Sequence, residues 1–214
     1  MLVSLLACEG AFAQKAPFLK RSEVAVWTPT AIHWPEENFR GTVPRPMVES
    51  LMVKGVPVEL EETTLESLKK KLGGVIGNHG DGGDSLAWIC YTGVDASGPW
   101  IFWPTSSEMG GLSTINGFVW RHLETNERAD WRCRELPSGD RLVELPLALH
   151  PGMTETEIRG LLGKPTLVRG QDLYYAHEHL RRIRKEDWSV WNGVALALRD
   201  GRLWALSVNK TTTN

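Results

Sequence analysis

Two short segments carry side chains that could bind a metal ion or move a proton. The loop at 77–84 holds His79, Asp81 and Asp84, and imidazole and carboxylate groups are common ligands of zinc and calcium. The loop is also rich in glycine and lacks the regular ligand spacing of a calcium loop. We therefore interpret it as a turn, and we keep a metal-dependent hydrolase around His79, Asp81 and His177 as the enzymatic alternative.

The second segment is the pair His177 and His179. In a β-strand, residues i and i+2 face the same side, so two imidazole rings could share a zinc ion. A complete zinc site needs further ligands, and no sequence feature supplies them. An ordinary strand with two partly exposed histidines is the simpler interpretation, so we predict no catalytic residue, no metal and no cofactor.

Tryptophan is the unusual residue of the composition, with ten copies against three tyrosines. Trp100 and Trp103 form one Trp-x-x-Trp segment, and Trp188 and Trp191 form another. Because strand positions i and i+3 face opposite sides of a sheet, we predict that one tryptophan of each pair points into the core and the other outward. Exposed aromatic side chains anchor many protein interfaces. The alternative is that all four pack inside the protein.

A basic run at 181–185 is expected at the tip of a hairpin. A solvated loop is the usual interpretation of such a run. The alternative is that Arg182 and Arg184 contact an acidic patch on a partner protein, which would raise the association rate more than the final affinity. The formal net charge of −2 gives no support for binding to nucleic acid or to an anionic membrane.

The first 13 residues are typical of the end of a bacterial export signal, with a cleavage pattern of small residues at Ala11 and Ala13. Lipidation of Cys8, which follows Leu-Leu-Ala, is an alternative. No stretch approaches the ~20 apolar residues that a membrane-spanning helix requires. We therefore predict a periplasmic or secreted protein.

Export leaves two cysteines, Cys90 and Cys133, in an oxidising compartment. We predict that they form a disulfide, which closes a loop of about 43 residues and stabilises the fold by roughly 3–4 kcal/mol on the chain-entropy model. Two buried free thiols are the alternative.

Two short helices have clear local signals. Thr154 and Glu157 form a capping box, followed by apolar residues at i, i+3 and i+4 and by Gly163 as the stop. The earlier helix has Thr63 and Glu66 as its box and ends at a pair of glycines. Helices of about ten residues are marginal unless they pack on another element, so we expect a sheet beneath them.

Three strand-like runs follow each helix, at 85–91, 100–103 and 114–123, and at 173–179, 189–198 and 203–208. Matching helix, Trp-x-x-Trp and Gly-x-x-Trp segments recur in the same order in both halves. We therefore predict an α+β fold of two tandem repeats, each a short helix plus an antiparallel sheet. The predicted parts are a signal remnant at 1–13, an extended Pro-rich arm at 14–55, and repeats at 56–136 and 137–214.

The stretch Leu149-His-Pro-Gly-Met-Thr154 is followed by Glu157-Ile158, by Leu162-Gly163-Lys-Pro165 and later by Asp200-Gly201-Arg-Leu. This pattern resembles the BamE/SmpA-type outer-membrane lipoprotein domain, and its duplication resembles the tandem β-lactamase inhibitor proteins. The resemblance implies an α+β fold with helices on one sheet face and the other face free to bind protein. It implies little about function, because the fold hosts several roles, and we transfer no functional residues from it.

We predict an exported, non-enzymatic module that binds another protein through aromatic sheet faces, as an inhibitor, an immunity protein or an envelope accessory. The predicted contact residues are Trp100, Trp103, Trp188, Trp191, Arg182 and Arg184. The alternatives are a lipidated outer-membrane assembly accessory and the metal-dependent hydrolase named above.

Overall fold

The computed structural model describes residues 24–29, 32, 34, 43–44, 48–80, 85–107, 114–137, 143–183 and 185–213. Strands account for 56% of the structure and helices for 12%, so the protein is mostly β. The elements, in chain order, are β1 (Val24–Val26), β2 (Ser50–Val53), β3 (Val56–Glu59), α1 (Leu65–Leu72), β4 (Ile76–His79), β5 (Leu86–Ile89), β6 (Tyr91–Asp95), β7 (Gly98–Ser106), β8 (Gly117–His122), β9 (Glu127–Ala129), β10 (Arg134–Glu135), β11 (Val143–Glu144), a 3₁₀ turn (Pro146–Ala148), α2 (Glu155–Leu162), β12 (Leu167–Arg169), β13 (Asp172–Ile183), β14 (Glu186–Arg199) and β15 (Arg202–Thr213).

One large sheet dominates the molecule. Its main path runs β10-β6-β7-β8-β15-β14-β13-β12, and β5 joins β4 to β7. All pairs are antiparallel except β10 with β6, and the central pair β8–β15 joins the two halves of the chain. Two small sheets lie beside it, the parallel pair β1–β9 and the three strands β11-β2-β3.

The predicted α+β fold of two tandem helix-plus-sheet repeats is wrong. Within the described residues there are only two α-helices, each of eight residues, while β13, β14 and β15 have 12, 14 and 12 residues. The sheet runs without a break across β8 and β15. The sequence pattern predicts no strand at β9 or β10, and pairing with β1 and β6 gives these two segments their β structure.

The two helices follow their local signals closely. In α2, both bonds of the predicted capping box are present, because Thr154 accepts from the Glu157 N–H and Glu157 accepts from the Thr154 N–H. The N-cap of α1 is Thr64, which accepts from the Ser67 N–H, rather than the predicted Thr63. The Thr63 hydroxyl instead accepts from the Glu59 N–H at 2.9 Å.

A tyrosine from the sheet contacts the end of each helix. The Tyr91 hydroxyl donates to the Gly73 carbonyl at 3.1 Å, and the Tyr175 hydroxyl donates to the Gly163 carbonyl at 3.3 Å. Both bonds satisfy a carbonyl that the helix leaves open. Burial raises the pKa of both hydroxyls, so they remain donors over the usual pH range.

The main core lies between one face of the large sheet, the two helices and the β2–β3 hairpin. Asn192 on β14 fixes the chain just before this hairpin, because its side-chain amide accepts from the Val48 N–H at 2.9 Å and donates to the Val48 carbonyl. Asn192 is only 1% exposed. Both backbone groups of Val48 are thereby satisfied inside the protein.

The second face of the sheet is covered in part by the arm. Trp27 packs edge-on against Trp88 with 5.8 Å between ring centroids, and the Trp27 carbonyl accepts from the Trp103 indole N–H at 2.9 Å. Trp34 packs edge-on against Trp191, with 5.2 Å between the ring centroids. Trp27 and Trp34 thereby attach this part of the chain to the body of the protein.

A buried ion pair holds the segment before β9 on this second face. Arg121, with 3% of its side chain exposed, donates two hydrogen bonds to Glu127 at 2.6 and 3.0 Å. Burial acts to raise the pKa of Glu127, but the bonds from Arg121 and from the Glu124 backbone outweigh it and hold that pKa below its usual value. The pair thereby positions β9 and the turn that follows it.

Candidate functional site

A tight turn from Asp130 to Cys133, here called the disulfide turn, connects β9 to β10. The Cys133 N–H donates to the Asp130 carbonyl at 2.9 Å, and the Asp130 N–H donates to the Val26 carbonyl on β1 at 2.9 Å. The Arg132 N–H donates to the Asp130 side chain at 3.0 Å. An aspartate that accepts from a nearby backbone N–H is a common way to fix a turn.

The predicted disulfide between Cys90 and Cys133 is confirmed. The two Cα atoms lie 4.5 Å apart, and 43 residues separate the cysteines in sequence. Cys90 sits between β5 and β6 and is fully buried. The bond therefore attaches the disulfide turn directly to the large sheet.

Arg132 fixes the same turn from its outer side. Its guanidinium donates to the two carboxylate oxygens of Asp130 at 2.7 and 3.2 Å, and it lies 4.5 Å from the ring centroid of Trp27. The hydrogen bonds from Arg132 lower the pKa of Asp130 and raise the pKa of Arg132. Both groups therefore stay charged, and the guanidinium stacks on an aromatic ring, as cation–π contacts prefer.

The turn presents Trp131 to solvent. This side chain is 87% exposed, the highest value among the exposed large apolar residues of the structure. A tryptophan buries a large area when a partner covers it. Since the backbone on both sides is already fixed, little backbone conformational entropy would be lost when Trp131 is covered.

Two exposed arginines flank the disulfide turn in the sequence, Arg128 on β9 and Arg134 on β10. Arg134 extends beside Gly73 at the end of α1. Asp130 in the turn and the exposed Glu135 on β10 add negative charge, so the segment that carries Trp131 has charges of both signs.

The prediction that one tryptophan of the first pair, Trp100 and Trp103, points outward is wrong. Trp100 and Trp103 do point to opposite faces of β7, one into the main core and the other into the second cluster. Their exposures are only 1% and 0%. Trp100 lies against Gly93 on the neighbouring strand, and Trp103 is covered by the arm through its bond to Trp27. Neither residue can contact a partner in this conformation.

The second pair is partly exposed. Trp188 and Trp191 lie on β14 at positions of opposite parity, and each retains an intermediate exposure. Trp191 lies over Gly193, where an added Cβ would be 2.3 Å from its ring, and it packs against Trp34. The arm therefore occupies part of the surface that was predicted to bind a partner.

The predicted basic contacts fall at the β13–β14 turn. Arg182 is exposed near the end of β13. Arg184 lies outside the described residues. Arg182 lies far from the disulfide turn, because β6, β7, β8, β15 and β14 lie between β13 and β10 in the sheet.

The two described residues of the metal-dependent alternative, His79 and His177, do not come together. His79 on β4 and His177 on β13 are separated by β5, β7, β8, β15 and β14, which is about 29 Å along the sheet at the usual strand spacing. Asp81 and Asp84 lie outside the described residues. The rings of His177 and His179 are adjacent, at 5.1 Å between centroids. Among the described residues, no group of three or more His, Cys, Asp or Glu side chains is arranged to hold a metal ion.

The predicted signal segment at 1–13, including Cys8, lies outside the described residues. No helix in the part of the chain that the structure describes is long and apolar enough to cross a membrane.

Sequence reasoning missed Trp131 because it belongs to no repeated motif. The segment Asp-Trp-Arg-Cys does contain a usable signal, since aspartate favours turns and the cysteine was already predicted to be bonded. A tryptophan held between these two residues is forced toward the outside of the turn. The sequence does not show what lies above the ring, and the exposure of Trp131 follows only from the structure.

Comparison with protein-family models, with curated proteins and with solved structures gives no match for this chain. The resemblance to the BamE/SmpA-type and tandem inhibitor proteins therefore rests on the sequence pattern alone and stays a prediction.

Proposed function

We propose that the protein is a binding module that recognises another protein through the disulfide turn, with Trp131 as the central anchor. The observation that carries this proposal is an 87% exposed tryptophan on a turn fixed by a disulfide, two ion-pair hydrogen bonds and backbone hydrogen bonds. Tryptophan and arginine are the residues most enriched among those that dominate interface energies. The proposed role is binding rather than catalysis.

The exposed arginines on either side of the turn favour an acidic partner. Arg128 and Arg134 flank the apolar anchor in the sequence, and both are exposed. A partner with an apolar pocket bordered by Asp and Glu side chains would match both the shape and the charge of this region. Charge complementarity of this kind mainly accelerates association and selects the partner.

The disulfide also supports a place of action outside the cytoplasm. Disulfide bonds persist in oxidising compartments and are rare in the cytosol. We therefore propose an exported protein, periplasmic or secreted, that acts as an inhibitor, an immunity protein or an envelope accessory. A lipid anchor at Cys8 would make it an envelope accessory.

Site-specific photo-crosslinking tests the proposal. A benzophenone amino acid replaces Trp131 in one variant and Leu180 in a control variant, and both are irradiated in an envelope extract of the source cells. Leu180 is a suitable control because it is 72% exposed and lies on β13, away from the turn. We expect one discrete adduct from position 131 and none from position 180.

The affinity of the captured protein is then measured with purified components. Trp131→Ala should weaken binding by about a hundredfold, or roughly 3 kcal/mol, as expected for a central tryptophan anchor. Leu180→Ala should leave the affinity unchanged. Equal crosslinking from both positions, or equal affinity of wild type and Trp131→Ala, would refute the proposed anchor.

A further inference from the structure

A separate cleft of about 450 Å³ lies where the β2–β3 hairpin meets β13 and β15. Its charged lining residues are Glu49, Glu59, Glu62, His179, Arg181 and Lys210. We call it the hairpin cleft. It is distinct from the disulfide turn and shares no lining residue with it, so the inference below does not depend on the proposed partner protein.

The two sides of the hairpin cleft carry opposite charge. The hairpin and the turn after it supply the carboxylates of Glu49, Glu59 and Glu62, while the sheet supplies Arg181 on β13 and Lys210 on β15. Lys210 is only 8% exposed and lies 3.5 Å from Glu61 and 3.9 Å from Glu49. This arrangement leaves carboxylates on one side and a guanidinium on the other.

The acidic side is held in a fixed conformation. The Glu62 and Thr63 N–H groups both donate to the Glu59 carbonyl, at 3.2 and 2.8 Å. Glu61, which lies between Glu59 and Glu62 in the chain, has a φ of 67°, a left-handed conformation that is uncommon outside glycine. It is held there by its N–H bond to the Ile115 carbonyl at 2.7 Å. Strained backbone of this kind is found often at binding sites.

Glu59 and Glu62 are placed close enough to interact directly. A hydrogen bond between the two carboxyl groups and the repulsion between their charges raise the pKa of Glu59. Two neighbouring carboxylates that repel each other are stabilised when a cationic group lies between them. The pair therefore suits a ligand ammonium group.

The sheet side suits a carboxylate. Arg181 presents a planar guanidinium whose donors match the two oxygens of a carboxylate. His179 is beside it on the same face of β13, and its Nδ1 is buried with no hydrogen-bond partner among the described residues. Since a buried N–H without an acceptor is unfavourable, Nε2 is the ring nitrogen of His179 that is better suited to donate to a ligand in the cleft.

We propose that the hairpin cleft binds a small zwitterion, with a free α-amino acid as the ligand class. The ligand ammonium group lies between Glu59 and Glu62, and its carboxylate accepts from Arg181 and His179. A volume of about 450 Å³ is within the range of ordinary small-molecule sites.

The test is a ¹H–¹⁵N NMR titration of the whole chain with L-alanine, L-leucine and L-lysine, each used separately. Methylamine and acetate serve as probes for the two charged ends alone. We expect at least one amino acid to shift the amide signals of 59–62 and 179–181, and to bind about tenfold or more tighter than methylamine or acetate.

Variants test which residues bind the ammonium end and the carboxylate end of the ligand. The double variant Glu59→Gln with Glu62→Gln, and separately Arg181→Ala, should each weaken amino-acid binding by about tenfold or more. All three positions are exposed, so these variants should fold. Glu178→Gln is the matched control, since Glu178 is exposed on the opposite face of β13, and it should bind as wild type.

Three results would overturn the inference. They are no shift with any of the three amino acids, binding of methylamine or acetate as tight as that of the amino acids, and equal weakening by the Glu178→Gln control. The Trp131→Ala variant should bind the amino acids normally, so failure of this inference is distinguishable from failure of the proposed partner site.

Discussion

Removing the Cys90–Cys133 bond should destabilise the protein by a predictable amount. The bond closes a loop of 43 residues, and the chain-entropy model gives about 4 kcal/mol at 25 °C for a loop of that length. For a chain of this size, about 4 kcal/mol corresponds to a decrease in Tm of roughly 8–16 °C. The change acts mainly on the unfolded chain, which gains conformational freedom when the crosslink is absent.

Urea titrations of the wild type with and without a thiol reductant measure this loss directly. Reduction should lower the free energy of unfolding and also raise the m-value, because an uncrosslinked unfolded chain exposes more surface. The double variant Cys90→Ala with Cys133→Ala should show the same loss plus a smaller packing term, since Cys90 is fully buried. A loss below about 1 kcal/mol in both experiments would refute the loop-entropy argument.

Three further changes test the packing and charge described above. Glu127→Gln should cost about 3 kcal/mol at pH 7, because it leaves the guanidinium of Arg121 buried without a counter-charge. Since the folded-state pKa of Glu127 is lowered, the stabilisation is present above the ordinary value of 4.5 and lost as the pH falls through the folded-state pKa. Urea titrations of wild type and variant from pH 7 to pH 2 should therefore converge at acid pH, and a constant difference would contradict this. Gly77→Ala should cost about 1–3 kcal/mol in a thermal melt, because an added Cβ would lie 2.6 Å from the Trp88 ring and 2.7 Å from the Trp27 ring. An added Cβ at Gly160 in α2 would have no heavy atom within 4 Å, so Gly160→Ala should stabilise the protein by about 0.8 kcal/mol. A destabilised Gly160→Ala variant would contradict the helical conformation of α2 at this position.

The sequence predicts the helices well because their signals are local. The capping box of Thr154 and Glu157, and the glycine stop at Gly163, act within one or two turns of the chain. The disulfide was predictable for a different reason. If the predicted signal segment removes Cys8, only Cys90 and Cys133 remain, and two cysteines have only one pairing. In both cases, few alternatives compete with the predicted structure.

The sheet and the surface were less predictable because they depend on distant partners. Strand alternation places Trp100 and Trp103 on opposite faces, but it does not show that Trp27 and the main core cover both faces. Likewise, β1 gains its structure by pairing with β9, about a hundred residues later in the chain. A local pattern gives the direction of a side chain and leaves open what lies beyond it.

The position of β15 has a consequence for the order in which the protein folds. β15 follows every other strand in the chain, yet it lies between β8 and β14 in the middle of the large sheet. Until residues 202–213 are available, β8 and β14 each have an unpaired edge, and the two halves of the sheet cannot join. Unpaired strand edges of this kind associate readily with other chains.

We therefore expect a chain that stops at Arg199 to remain sensitive to protease, while the chain through Thr213 becomes resistant. The central place of β15 thus delays the joining of the two halves of the sheet until residues 202–213 are available to pair with both β8 and β14.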